Sequence, residues 1–154
     1  MLFDRFVQFA IVAAALAIGS QAHAQALQYG RYYDETKQAD CTLGYACWIN
    51  FSQLPPNKLV MLRHLHCRIA SASLMQDAQL YVSATLGGGP LARRLPLPSQ
   101  REPAQVSGQY RYWVDMETQW LMGQGRFPQV TFQFSASLGA TAECTLTGEL
   151  VDPI

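Results

Sequence analysis

His64 and His66, two residues apart in a 154-residue chain, come nearest to a chemical constellation. In an extended strand, side chains at i and i+2 leave the same face, so both imidazoles could approach one metal ion. The set is incomplete. Residues 67–71 read Cys-Arg-Ile-Ala-Ser, with no glutamate, and the only other histidine is His23. A carboxylate would have to come from elsewhere in the fold. The simpler expectation is two polar residues on the solvent face of a strand beside Arg68, with no metal and no cofactor.

The aromatic residues offer a second chemistry. Tyr81, Trp113 and Trp48 alternate with apolar residues, so each falls on the strand face opposite the apolar stripe, and Arg111 shares the face of Trp113. Trp120 falls near a loop. Rings displayed on a sheet stack on pyranose rings while neighbouring amides and guanidinium groups bond the hydroxyls. Tyr81, Arg111 and Trp113 are therefore candidate ligand-binding residues. The competing expectation is that the rings pack beneath loops or pair across strands.

Carboxylates also share faces, Asp115 with Glu117 and Glu143 with Glu149. Glycosidic chemistry needs two such groups flanking a cleft, and any sheet surface offers pairs, so no catalytic residue is assigned. The Gly-x-Ser-x-Gly pattern of serine hydrolases is absent. Gly87-Gly88-Gly89 runs into Pro90 and not into a helix, which makes it a hairpin turn and not a phosphate loop. Eleven basic and eleven acidic residues balance to zero net charge, against nucleic-acid partners and polybasic membrane contacts.

These residues need a compartment and a scaffold. Residues 6–19 are almost wholly apolar, follow Arg5, and give way to Ala22-His23-Ala24, with small residues where a signal peptidase reads. The run is about 14 residues, short of the roughly 20 that a spanning helix needs. Residues 1–24 are expected to be a cleaved signal peptide, residues 25–40 an N-terminal arm with at most a short edge strand, and residues 41–154 the folded domain. No later stretch is apolar enough to cross a membrane as a helix. The expected location is periplasmic or secreted, with a glycan or an envelope protein as partner. Cys41, Cys47, Cys67 and Cys144 all follow the signal, and an even count in an exported chain suggests two disulfides.

Alternation with period two continues through most of residues 46–151, the mark of half-buried strands. Strands are expected over 46–51, 59–69, 79–86, 91–97, 106–116, 129–136 and 143–151, with residues 71–77 a loop or one helical turn. In the second of these, Leu59, Met61, Leu65, Cys67 and Ile69 share a face and Arg63 is the exception. About seven short strands, polar on one side, predict an all-β fold of two antiparallel sheets packed as a sandwich, jelly-roll or immunoglobulin-like, with a closed barrel as the alternative. Cys67 and Cys144 fall on the apolar faces of their strands, which favours Cys67–Cys144 with Cys41–Cys47 over the two other pairings. The segment Phe51 to Ile69 and the closing stretch Cys144 to Asp152 resemble small exported bacterial β-sandwich proteins, a resemblance that implies a fold and no activity.

Overall fold

The computed structural model describes residues 26–42, 44–137 and 139–153. The expected signal segment and its cleavage position lie outside them. Ten strands run through the described residues: β1 (Leu27–Tyr29), β2 (Tyr32–Cys41), β3 (Ala46–Asn50), β4 (Leu59–Ser71), β5 (Met75–Ser83), β6 (Arg94–Pro96), β7 (Ser99–Arg101), β8 (Tyr110–Met122), β9 (Phe127–Phe134) and β10 (Ala140–Val151). They form two antiparallel sheets, one in the order β1-β2-β10-β4-β8-β7 and one in the order β3-β9-β5-β6. The protein is a two-sheet β-sandwich.

Alternation builds the core. Leu65, Cys67 and Ile69 of β4, Cys144 and Leu146 of β10, and Val114 of β8 pack from the larger sheet. Cys47 and Ile49 of β3, Val130, Phe132 and Phe134 of β9, and Leu80 of β5 pack from the smaller one. Two disulfides join this frame. Cys67 and Cys144 face each other directly in the β4–β10 ladder, with Cα atoms 4.1 Å apart. Cys41, at the end of β2, bonds to Cys47 of β3, so a link between residues six apart in sequence ties one sheet to the other.

Arg63 explains its own exception. Between His64 and Leu62, β4 carries one residue more than β10, whose Thr147 and Gly148 are their partners. Over the same interval β8 carries one residue more than β4, since Leu62 pairs with Trp120 and His64 with Glu117. These adjacent bulges shift the alternation of β4, so that Val60 and Leu62, and not Leu59 and Met61, join the core. Gly148 fits beside the bulge because it has no side chain: a Cβ there would lie 2.5 Å from the Met61 carbonyl oxygen.

Other boundaries differ from the sequence expectation for local reasons. Most of the expected arm of residues 25–40 is strand: residues 32–40 and Cys41 form a ten-residue strand paired along its length with β10. Its inward face carries Glu35 and Lys37 between Tyr33 and Ala39, so the usual apolar stripe is interrupted. β5 begins at Met75, whose N–H donates to the Tyr112 hydroxyl at 2.9 Å, and no helical turn precedes it. Val106 and Gly108 belong to a tight turn. Val106 pairs with Gln109, Ser107 and Gly108 both take positive φ, and the long strand begins only at Tyr110 and continues to Met122.

Candidate ligand-binding groove

The solvent face of the larger sheet is a grid of polar side chains in cross-strand rows. Asp40, Thr141, Ala70 and Arg111 form one row, and Gln38, Glu143, Arg68, Trp113 and Gln100 the next. Thr36, Thr145, His66 and Asp115 form the third. Ala70 has a one-carbon side chain among long neighbours, and an open groove of about 620 Å³ lies there, lined by Arg68, Arg111, Trp113, His66, Glu102 and Glu143 among others. That volume suits a small ligand.

The groove is held by its edges. The Trp113 indole N–H donates to Gln100 Oε1 at 3.0 Å, so the short strand β7 orients the half-buried ring. The Glu102 N–H donates to the Arg111 carbonyl at 2.9 Å, fixing the chain beyond β7 against β8. Ion pairs among the described residues join Lys37 to Glu35, Lys58 to Asp152, Arg63 to Glu149 and His64 to Asp115. Exposed Arg68 and Arg111 belong to none of them, although Glu143 is the ladder partner of Arg68.

Arg111 and Trp113 thus meet in one groove, but Tyr81 does not join them. It lies on the outer face of the smaller sheet, opposite Gln129 and Arg94, and is only 8% exposed. Its hydroxyl accepts from Thr131 Oγ1 at 3.4 Å, and Thr131 and Gln129 beside it are buried as well. Trp48 stands on that same outer face, 52% exposed. Trp120 points inward into the core, with the Arg93 guanidinium 5.3 Å from its ring centre.

His64 and His66 share the outer face of β4, their rings stacked with centres 6.5 Å apart. His64 Nε2 bonds to Asp115, so one imidazole is already engaged by a carboxylate. Among the described residues no three or more His, Cys, Asp or Glu side chains gather as a metal site.

Glu35 was not foreseen. Its carboxylate is 2% exposed on the inner face of β2. It accepts from the Tyr33 hydroxyl at 2.6 Å and from the Ser52 backbone N–H at 3.0 Å, and pairs with Lys37 Nζ at 3.2 Å. Burial, and secondarily the charge of Glu35, push the Tyr33 hydroxyl well above the ordinary phenol range. This cluster joins β2 of one sheet to the chain that leaves β3 of the other, a structural latch whose carboxylate is buried. The chain matches no protein-family model and is similar to no curated protein or solved structure with which it was compared.

Proposed function

We propose that the protein is an exported, non-catalytic binding protein whose ligand is a saccharide held in the groove over Ala70. One observation carries this reading: Arg111 and Trp113 converge on a single open groove, with the indole already fixed by Gln100. A held ring loses little freedom when a pyranose stacks on it, which favours binding. The surrounding Gln38, Gln109, Thr141 and Glu143 supply donors and acceptors for sugar hydroxyls. Two disulfides, and no helix among the described residues long and apolar enough to cross a membrane, are compatible with a periplasmic or secreted location.

The test is a glycan array followed by titration calorimetry. Binding is expected from the native chain and is expected to fall about tenfold or more for Trp113→Ala, the range seen when base–aromatic stacking is lost. Tyr81→Phe is expected to change little. Binding that survives Trp113→Ala and Arg111→Ala together would remove the groove from the function.

A second reading rests on a separate surface. The β1–β2 hairpin exposes Leu27 at 52%, Tyr29 at 69% and Tyr32 at 54%, on the free edge of the larger sheet. Such an edge suits an envelope protein partner that adds a strand. Capture of one partner by the native chain, lost with Tyr29→Ser and Tyr32→Ser, would favour it.

A further inference from the structure

Resting on the saccharide reading, we infer that the ligand is an acidic saccharide, a uronate whose carboxylate lies between Arg68 and Arg111. The two arginines stand in adjacent rows on neighbouring strands, Arg68 opposite Trp113 and Arg111 opposite Ala70. Diagonal neighbours of this kind are about 7–8 Å apart at their backbones, within reach of two guanidinium groups closing on one carboxylate. Both are exposed, and both lack an ion pair among the described residues. The short side chain of Ala70 keeps the floor between them open.

The carboxylates of the groove are placed outside this pair. Glu143 comes from β10 on one side and Glu102 from beyond β7 on the other. Across the sheet the order is acid, base, base, acid. A ligand with one central carboxylate and hydroxyls to either side matches that order: the guanidinium groups take the acid, and the glutamates accept from the hydroxyls. A neutral sugar would leave the central cations unpaired. A nucleic acid would set its repeated phosphates against Glu102 and Glu143. The half-buried Trp113 ring beside Arg111 supplies an apolar face for the sugar ring.

Calorimetric titration with tetramers of galacturonate, mannuronate and glucuronate, beside cellotetraose and sodium acetate, tests the assignment. At least one uronate tetramer is expected to bind about tenfold or more tightly than cellotetraose, because hydrogen bonds to charged groups are the stronger kind. Its affinity should weaken as salt rises, since the arginines are exposed. Arg68→Gln and Arg111→Gln should each cost about tenfold on that tetramer and nearly erase the preference over cellotetraose. Arg126→Gln, an exposed arginine outside the groove, should change neither. Circular dichroism and melting temperature check that the variants fold. Cellotetraose bound as tightly as every uronate, with Arg68→Gln without effect, would overturn the acidic assignment and leave the saccharide reading standing. Binding of no tetramer, or acetate binding as tightly as the best tetramer, would overturn both.

Discussion

Glu35 carries a charge where the packing leaves almost no solvent, and its three partners show why it is tolerated there. Tyr33, the Ser52 N–H and Lys37 surround the carboxylate, two of them from its own strand and one from the opposite sheet's exit. Removing the carboxylate takes the acceptor from the buried Tyr33 hydroxyl and from the Ser52 N–H, so Glu35→Ala is expected to cost about 3–5 kcal/mol by urea unfolding. A loss under about 1 kcal/mol would show that the latch carries little stability. Tyr33 gives the same cluster a pH signature. Its native pKa is raised above the ordinary 10.0, so the native state holds the phenol proton where the unfolded chain releases it. Stability from this group is full below about pH 10 and declines as pH rises further, by about 1.4 kcal/mol per pH unit. Tyr33→Phe should remove that alkaline slope, measured as unfolding free energy between pH 9 and 11.

At the scale of the elements, the bulges and the disulfides set the shape of the larger sheet. Two extra residues, one on β4 and one on β8, let strands of 13 residues bend around the core. Gly148→Ala forces a methyl against the Met61 carbonyl and is expected to cost about 1–3 kcal/mol in thermal or urea melts. Of the two disulfides, Cys67–Cys144 spans 77 positions and Cys41–Cys47 spans 6. The chain-entropy model gives about 4.5 kcal/mol for the long loop and about 2.2 for the short one. Paired serine variants should follow that order, and peptide mapping without reduction should recover these two linkages. Within β9, Phe132→Ala is expected to cost about 3–5 kcal/mol, and exposed Gln133→Ala within about 0.5. Equal losses at both would mean the faces are misassigned.

The whole molecule joins a remote beginning and end. β2 pairs with β10 from Tyr32–Glu149 to Cys41–Ala140, so the sheet closes only when the last strand is in place. Pairing over such separations is slow to form, because loop closure precedes the contacts that reward it. The Cys67–Cys144 bridge, which joins β10 to its other neighbour β4, helps to retain it. Export with removal of residues 1–24 predicts an extracytoplasmic chain with the mass of residues 25–154 less four hydrogens, checked by intact mass spectrometry. A chain kept in the membrane with those residues attached would contradict it. Zinc is expected to leave the melting temperature unchanged, since His64 is engaged by Asp115 and a specific native-state site would raise it by mass action.

Alternation alone determined the all-β class, because a period of two is a local property of the chain, while the choice of two packed sheets over a closed barrel waited for the strand pairing. Alternation also placed Cys67 and Cys144 inward, and face was enough to favour their pairing. Arg63 stood out as an exception, yet the bulge that resolves it is defined only by the partners on β10 and β8. β2 escaped because Glu35 and Lys37 occupy inward positions, and the Ser52 N–H that completes the partners of the carboxylate arrives only when the sheets have packed. The candidate site divided along the same line. The shared face of Arg111 and Trp113 was legible from their spacing. Their convergence with Arg68, and the separation of Tyr81, depended on which strands became neighbours. That choice is made by long-range pairing, which no local pattern encodes.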